Sequence, residues 1–186
     1  MLAAYARGWF PMDEVGERGP VGFYEAEPRA LMPIAGFRVP RSVARAGRRR
    51  RYEIRVDADF PSVAGACAGE RTGTWLTPRL AEAYVRLHRL GHAHSVECWR
   101  DGRLVGGLFG VALGGLFTSE SMFHAAPDAG SLALVAAADR LAERGFVLWD
   151  VQQLTPHAAR FGAHLVSGRE YRGRLAEALA LRRSFA

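Results

Sequence analysis

Residues 93–105 read Ala-His-Ser-Val-Glu-Cys-Trp-Arg-Asp-Gly-Arg-Leu-Val, and they predict more of the architecture than any other part of the chain. Asp101-Gly102 separates two runs with strand character, which is a strong signal for a tight hairpin turn. Gly114-Gly115 marks another turn, and residues 116–123 after it again have strand character. Three consecutive strands joined by two turns predict an antiparallel meander.

A helix is predicted before this meander, over residues 77–91. Thr77 can cap its N-terminus, Pro78 suits its first turn, and Gly91 can end it. Apolar positions repeat along one face of the helix at Leu80, Tyr84 and Leu87. This spacing is typical of a helix that packs one face against a core.

The second half of the chain alternates helices and strands. We expect a helix over residues 129–144, a strand over 146–152, a short helix from 155 to about 162, a strand over 163–166 and a final helix over 170–183. This order predicts an α+β fold, an N-acyltransferase (acetyltransferase-like) domain in which helices flank the antiparallel meander. The assignment is an analogy of fold, and fold alone does not determine chemistry.

The composition of the chain changes near residue 60. Residues 1–60 are rich in Arg, Pro and Gly with only short apolar pieces, which predicts a small, irregular N-terminal lobe with a few strands. Residues 61–186 carry the clearer pattern and should form the acyltransferase-like catalytic domain.

The overall composition is that of an ordinary globular protein, with 186 residues of which 49% are hydrophobic. No apolar run approaches the roughly 18 residues that span a bilayer, and the N-terminus lacks the features of a signal peptide, so we expect a cytoplasmic protein. Cys67 and Cys98 are too few and too far apart for a metal site or a disulfide framework, and both should be reduced. The six histidines have no metal-ligand spacing.

Basic residues are concentrated in one part of the chain. The net charge is +6, and all 25 basic residues are arginines, eight of which fall between Arg38 and Arg55. Such a block attracts polyanions and releases their counterions on binding, which favours RNA or another nucleic acid as a partner. A solvated loop or an acidic membrane surface would account for the same charge.

A carboxylate and an amide stand close together at the end of the predicted strand 146–152. Asp150 and Gln152 are two residues apart, which would place them on one face of a strand. The pair would combine a group that can move protons with a neutral group that can form hydrogen bonds to a substrate. The same residues could also simply mark where a strand meets water.

The segment after the meander argues against coenzyme A as the acyl carrier. Acetyltransferases of this fold hold its pyrophosphate on backbone N–H groups of a glycine-rich loop and a helix N-terminus. Residues 124–131 contain one glycine, a proline that removes a donor, and the acidic Asp128. We therefore expect a different activated acyl donor, and the arginine block suggests one that is carried on RNA.

Short motifs follow one another along the chain from Tyr5 to about Leu175. They begin with Tyr5-Ala6-Arg7-Gly8-Trp9-Phe10-Pro11 and Pro28-Arg29-Ala30. The others are Thr74-Trp75-Leu76, residues 83–88, 91–97 and 104–114, Glu120-Ser121-Met122-Phe123, Asp150-x-Gln152, Thr155-x-His157 and Phe161-Gly162-Ala163. With these motifs in this order, the chain resembles the bacterial leucyl/phenylalanyl-tRNA–protein transferase family.

The resemblance implies a reaction and its partners. Such enzymes move Leu, Phe or sometimes Met from its tRNA to the α-amino group of a protein that begins with Arg or Lys. The product carries an N-terminus that marks it for degradation. No metal or nucleotide cofactor is implied, because the aminoacyl ester is already activated. No membrane partner is implied, and the lack of oligomerisation heptads favours a monomer.

The resemblance also implies catalytic and binding roles. Asp150 would orient the attacking amine and help to move its proton, either as a general base or by electrostatic positioning. Gln152 would orient the reacting groups or donate to the developing oxyanion. Glu120 would hold the α-ammonium group of the donor, unless it forms a salt bridge within the sheet.

Further residues would form the donor site. Leu108, Phe117 and Leu134 would line an apolar pocket for the donor side chain, although core packing explains them equally well. Trp75 and Tyr84 would stack on the terminal adenine of the tRNA, but Tyr84 could equally be a core residue. The acceptor-stem phosphates would be bound by Arg41, Arg45, Arg48, Arg49, Arg50 and Arg51.

Several positions depart from the family pattern near this pocket. Ser119 stands where glycine is usual, Ala137 where an aromatic residue is common, and Trp149 is bulky for its position. These departures affect the expected donor preference more than the expected reaction.

Two other functions stay open. A related aminoacyl-tRNA-dependent transferase would keep Asp150 and Gln152 but use a different acceptor, such as a cell-wall peptide. A non-catalytic tRNA-binding protein on the same fold would keep its cellular function after Asp150→Ala.

Overall fold

The computed structural model describes residues 1–13, 19–49, 52–69 and 75–186. The helices are α1 (Leu2–Tyr5), α2 (Arg41–Arg49), α3 (Phe60–Ala68), α4 (Pro78–Arg89), α5 (Ala129–Glu143), α6 (Pro156–Arg160) and α7 (Gly168–Leu179). The strands are β1 (Phe10–Met12), β2 (Gly22–Tyr24), β3 (Arg29–Met32), β4 (Glu53–Val56), β5 (Ala93–Arg100), β6 (Arg103–Leu113), β7 (Leu116–His124), β8 (Leu148–Gln152) and β9 (His164–Val166).

Seven strands form one mixed sheet in the order β4-β5-β6-β7-β8-β3-β9. Neighbouring strands pair antiparallel except β7 and β8, which run parallel. The predicted meander is confirmed as β5, β6 and β7. At its first turn Asp101 and Gly102 have φ values of +52° and +70°, and two successive positive φ values match the twist of a tight hairpin.

The predicted helix over residues 77–91 is confirmed as α4. The Thr77 hydroxyl caps it by accepting a hydrogen bond from the backbone N–H of Leu80 at 3.4 Å. The predicted apolar face is buried as well, at Leu80, Tyr84 and Leu87. α5 agrees with the helix predicted over 129–144. Of the helices that the structure describes, none is long and apolar enough to cross a membrane.

The C-terminal helix differs from the prediction. The sequence pattern predicts a helix over 170–183, but α7 begins after its cap, Ser167, and ends at Leu179. The chain then turns and buries Phe185 against Phe117, with ring centroids 4.8 Å apart. Burial of this aromatic ring requires the chain to leave helical geometry, and this accounts for the earlier end of the helix.

The first 60 residues contribute strands to two sheets. β1 and β2 pair with each other, whereas β3 lies between β8 and β9, and β4 pairs with β5 at the edge of the large sheet. The sequence pattern did not predict α3, which begins after its cap, Asp59. The Asp59 carboxylate accepts a hydrogen bond from the backbone N–H of Ser62 at 3.2 Å. The division of the chain into two domains at residue 60 stays a prediction.

Helices cover both faces of the sheet because side chains alternate along its strands. On β6, Leu108 packs in the core formed with α5, and the next residue, Phe109, packs with α3 and α4. α5 approaches β6 closely at Gly106, where an added Cβ would lie 2.6 Å from the Cβ of Ala129. A glycine at this position therefore sets the distance between α5 and the sheet.

Gly106→Ala should lower the free energy of unfolding by about 1–3 kcal/mol, because the new methyl group overpacks the start of α5. It would lie 2.9 Å from backbone atoms of Ala129 and Gly130, which move only if the helix shifts. Gly65→Ala in α3 is a matched control, because its methyl group meets nothing within 4 Å and alanine favours a helix by about 1 kcal/mol. Urea denaturation measures both changes, and an unchanged midpoint for Gly106→Ala would contradict the prediction.

Candidate active site

A cavity opens where two neighbouring strands of the sheet separate. β7 and β8 pair in parallel through the register pairs Leu116–Leu148, Phe117–Trp149 and Thr118–Asp150. The residues that follow on both strands line a cavity of about 320 Å³. β1, α5 and α6 supply other parts of its wall, including Phe10, Leu134 and His157.

Two β-bulges shape the cavity wall. The register of β6 and β7 shifts so that Ser119 and Ser121 face adjacent residues of β6, which leaves Glu120 as the extra residue. A similar shift between β3 and β8 leaves Val151 as the extra residue. Regular strands present alternate residues to one face, whereas here consecutive residues line the cavity: Ser119, Glu120 and Ser121 on β7, and Val151, Gln152 and Gln153 at the end of β8.

Glu120 lies in the cavity wall, and its side chain is largely buried. The Tyr84 hydroxyl donates to its Oε2 at 2.8 Å, and the hydroxyls of Tyr84 and Tyr5 are hydrogen-bonded to each other at 2.8 Å. Burial raises the pKa of Glu120 to about 8, although hydrogen bonds from the two tyrosines oppose the shift. A cation that enters the cavity beside this carboxyl group would therefore favour its ionisation.

Gln152 connects Glu120 to the buried part of β8. Its side-chain amide donates to Oε1 of Glu120 at 3.3 Å, and its backbone N–H donates to Oδ1 of Asp150 at 2.9 Å. Gln152 has a φ of +56°, in the left-handed region that residues other than glycine rarely adopt. The prediction that Asp150 and Gln152 share one face of the strand is wrong. The bulge at Val151 and this φ turn Gln152 into the cavity wall, whereas Asp150 is completely buried.

The Asp150 carboxylate is held by donors on both of its oxygens. Arg29 donates from Nε to Oδ1 at 2.9 Å and from Nη2 to Oδ2 at 2.6 Å. The Tyr171 hydroxyl donates to Oδ2 at 2.8 Å, and the Gln152 backbone N–H donates to Oδ1. A bidentate arginine pair with further donors is a strong, directional arrangement, and it fixes the end of β8 rather than presenting the carboxylate to the cavity.

Arg29 is a central residue whose role sequence reasoning missed. It is buried, and its guanidinium lies over the rings of Tyr171 and Phe10, 4.5 Å and 5.0 Å from their centroids. Its Nη1 donates to the backbone oxygen of Gly8 at 2.8 Å. An arginine in a strand that continues with three apolar residues signals a buried partner. However, no local pattern identifies that partner as Asp150, which lies 121 residues further along the chain.

The other predicted donor-site residues fall into two groups. The predicted residues that line the cavity are Trp75, Leu108 and Leu134. Phe117 is instead buried in the core against Phe185, and the Tyr84 ring is buried against Phe109 with centroids 5.0 Å apart. Because a fully buried ring has no open face for a base, Tyr84 reaches the site through its hydroxyl on Glu120 rather than by the predicted stacking.

Two of the positions that depart from the family pattern contact each other. The indole N–H of Trp149 donates to the Ser119 hydroxyl at 2.8 Å. The Trp149 ring is buried, stacks on Phe37 with centroids 5.7 Å apart and shares its core cluster with Ala137. Trp149 and Ala137 thus pack in the same core cluster, and this cluster meets the cavity at Ser119. Their effect on donor preference stays a prediction.

Four of the predicted RNA-binding arginines are exposed on α2, namely Arg41, Arg45, Arg48 and Arg49. Arg50 and Arg51 lie outside the described residues. Arg160 of α6 donates from Nη2 to the hydroxyl of Ser42 at 3.3 Å. The basic helix α2 therefore adjoins the helix that lines the cavity at Ala158.

Both cysteines are free and buried. Burial raises the pKa of the Cys98 thiol to about 11, so this thiol is protonated at neutral pH. In the part of the chain that the structure describes, no three His, Cys, Asp or Glu side chains are grouped so that they could hold a metal ion.

Comparisons with known proteins point to one family. The family model described as Leucyl/phenylalanyl-tRNA protein transferase matches residues 31–176. A leucyl/phenylalanyl-tRNA–protein transferase of Rubrobacter xylanophilus is 47% identical over 187 residues, covering 100% of this chain and 96% of that protein. One of Phenylobacterium zucineum is 48% identical over 183 residues, covering 97% of this chain and 83% of that protein.

Comparison with solved structures concerns the fold. A GCN5-related glucosamine N-acetyltransferase region in a fungal multi-domain GH3 β-N-acetylglucosaminidase is similar with a TM-score of 0.54 and 13% identity. The match covers 89% of this chain and 21% of that one. It confirms the predicted α+β, N-acetyltransferase-like fold.

Stability should depend on pH through Glu120. A carboxyl group whose pKa is raised from 4.5 to about 8 by folding stabilises the folded state while it is protonated. This contribution is fully present below about pH 4.5 and is lost as the pH rises through about 8. Relative to Glu120→Gln, which is neutral at every pH, the wild type should lose on the order of 5 kcal/mol of unfolding free energy across this range.

Denaturation at several pH values measures this difference. Glu82→Gln is the control, because Glu82 is exposed on α4 in an ion pair with Arg86 at 3.2 Å. Parallel pH profiles for the wild type and Glu120→Gln would show that Glu120 does not titrate as described.

Proposed function

This chain belongs to the leucyl/phenylalanyl-tRNA–protein transferase family, and from that membership we propose that it transfers Leu or Phe to the N-terminal Arg or Lys of acceptor proteins. The protein is an aminoacyltransferase. We also propose that Met is a third donor, that the product is degraded, and that the protein acts in the cytoplasm. Family resemblance supports the acceptor preference and the role in degradation.

The observation that carries the proposal is a carboxyl group in an otherwise largely apolar cavity. Glu120 can hold an α-ammonium group, while Leu108, Met122 and Leu134 offer an apolar wall to a side chain such as that of Leu or Phe. The volume of about 320 Å³ is within the range of small-molecule sites. An aminoacyl group combines the two features that such a cavity would recognise.

The proposed reaction is aminolysis of an ester. The neutral α-amino nitrogen of the acceptor attacks the carbonyl carbon, the C–N bond forms, and the bond from that carbon to the ribose oxygen breaks. The nitrogen loses one proton and the ribose oxygen gains one, so atoms and charges balance between the two substrates.

We assign Gln152 the direct role in orienting the attacking amine. Because its Nε2 donates to Glu120, its side-chain oxygen can accept a hydrogen bond from an amine N–H. Asp150 would act as a positioning residue: its two oxygens are occupied by Arg29, Tyr171 and the Gln152 backbone. Electrostatic positioning is therefore better supported than direct proton abstraction by Asp150.

Binding of the tRNA would use two surfaces. The aromatic plane of Trp75 in the cavity wall suits stacking on the terminal adenine. The exposed arginines of α2 would bind phosphates of the acceptor stem, a contact that positions RNA without reading its sequence. Tyr84 would support Glu120, and Phe117 would support the core behind the pocket.

Gln152→Met should lower kcat/KM by about 100-fold and lower the free energy of unfolding by only about 1 kcal/mol, because it removes one oriented hydrogen-bonding group, including its bond to Glu120, and keeps the size of the side chain. The assay follows the transfer of radiolabelled Leu, Phe or Met from tRNA to peptides that begin with Arg, Lys, Asp or Glu.

Asp150→Asn should lower activity as well, and it should lower the free energy of unfolding by about 3–5 kcal/mol, because Arg29 is left buried without a counter-charge. Asp139→Asn on the exposed side of α5 is the matched control.

Each outcome of this assay decides between the functions. Transfer to peptides that begin with Arg or Lys, weakened in Gln152→Met, supports the proposal. Transfer only to Asp or Glu peptides would retain the chemistry and overturn the acceptor assignment. If tRNA binds and no peptide is labelled, the non-catalytic RNA-binding protein becomes the better description.

Replacing Arg41, Arg45 and Arg48 by glutamine should weaken tRNA binding and reduce its salt dependence. Loss of three phosphate contacts should make the slope of log affinity against log salt concentration shallower by about 2–3. Filter binding at several salt concentrations measures this slope. The control triple replacement removes the same charge from exposed positions on α4 and α7, at Arg86, Arg89 and Arg174. Equal slopes for the two triple variants would contradict a specific role for α2.

A further inference from the structure

His157 carries a buried polar atom that the proposed reaction does not use. Its ring lines the cavity from α6. The ring nitrogen Nε2 is buried and, within the described part of the chain, has no hydrogen-bond partner. The other described side chain with such an atom, Thr118, does not line the cavity. Buried polar atoms without a partner are unfavourable and therefore rare, so His157 is a candidate to bind a ligand group.

The imidazole is neutral, and its buried Nε2 can reach a ligand in the cavity only if the ring turns. It packs against the Phe161 ring with centroids 5.1 Å apart. The pKa of His157 is lowered, first by burial and then by electrostatic interactions with Arg160 and His124. A neutral imidazole has one nitrogen with a proton and one with a free lone pair. Nε2 can therefore donate or accept, depending on the tautomer.

His157 lies between surfaces of different chemistry. Its neighbour Ala158 and Leu134 belong to the apolar part of the wall. Three residues after His157 along α6, Arg160 contacts the basic helix α2 through its hydrogen bond to Ser42. An aminoacyl-tRNA end has the same order of groups: an apolar side chain, an ester, a ribose with a free hydroxyl, and then phosphates. A donor bound in this order would place its ribose near His157.

We propose that, when the donor binds, the His157 ring turns so that Nε2 forms a hydrogen bond with the ribose hydroxyl adjacent to the aminoacyl ester of the terminal nucleotide. The inference rests on the proposed function, because it assumes an aminoacyl-nucleotide donor. A ribose hydroxyl can donate or accept, so it satisfies either tautomer of His157. This hydroxyl is also the group by which a protein distinguishes RNA from DNA, and His157 would make the donor site selective for an RNA end.

Binding of two stable donor analogues tests the proposal. One is 3′-leucylamido-3′-deoxyadenosine, in which an amide replaces the ester and the 2′-hydroxyl is kept, and the other is its 2′-deoxy counterpart. Calorimetry compares the wild type, His157→Leu, His157→Gln and the control His164→Leu, which changes an exposed histidine on β9. Calorimetry of binding needs no transfer step, so it is independent of the activity assay.

Loss of the hydroxyl should weaken binding to the wild type and to His164→Leu about tenfold. His157→Leu should bind the hydroxyl analogue about tenfold more weakly than the wild type and should not distinguish the two analogues. His157→Gln, whose amide can reach the position of Nε2, should restore part of the preference. His157→Leu should also unfold at the wild-type temperature or above it, because it removes an unpaired buried nitrogen.

The proposal is overturned if His157→Leu keeps the preference for the hydroxyl analogue, or if neither analogue binds the wild type. A purely structural role would instead lower the melting temperature of His157→Leu and weaken both analogues equally, and this result would also overturn the proposal. Failure of the proposed function is distinguishable, because it would leave Arg peptides unlabelled by Leu-tRNA while the wild type still prefers the hydroxyl analogue.

Discussion

The buried ion pair between Arg29 and Asp150 is the interaction on which the site depends. It joins β3 to β8, and the same guanidinium holds the backbone of Gly8 and lies over the Tyr171 ring of α7. Two charges buried together are unfavourable unless their geometry is good and their remaining hydrogen-bonding positions are filled. The bidentate contact and the Tyr171 hydroxyl meet this condition. Four separate segments of the chain are therefore positioned by one pair of side chains.

The conformation of the site follows from this anchor. Gln152 occupies a left-handed backbone conformation that is expected to cost on the order of 1 kcal/mol, and its N–H bond to Asp150 helps to retain it. The bulges that bring Glu120 of β7 and Val151 of β8 into the cavity wall lie on either side of the point where these strands separate. In a regular pair of strands only alternate residues would face the cavity, so fewer residues of each strand would line it. The irregular pairing thus brings a carboxyl group, an amide and apolar side chains onto one surface.

Local signals made much of the fold predictable. Asp101 and Gly102 favour the turn that they form, and Thr77 caps α4 through the backbone N–H of Leu80, three residues later. Such features depend on neighbours in the chain, so they can be recognised without tertiary structure. The end of α7 could not be predicted in this way, because it depends on the burial of Phe185 beside Phe117, 68 residues earlier in the chain. The position of β3 between β8 and β9 is likewise a long-range pairing.

For the site, the sequence by itself determined the family motifs and the residue types: Glu120, Asp150 and Gln152, with an arginine block nearby. Only the tertiary structure decided which groups meet the cavity. It buried Asp150 against Arg29, turned Gln152 into the cavity wall and enclosed Tyr84 behind Glu120. Among the described residues, it left the Nε2 atom of His157 without a hydrogen-bond partner. The physical reason is that motifs and turns are encoded by short spacings, whereas burial and hydrogen-bond partners are set by segments that are distant in the chain and adjacent in space.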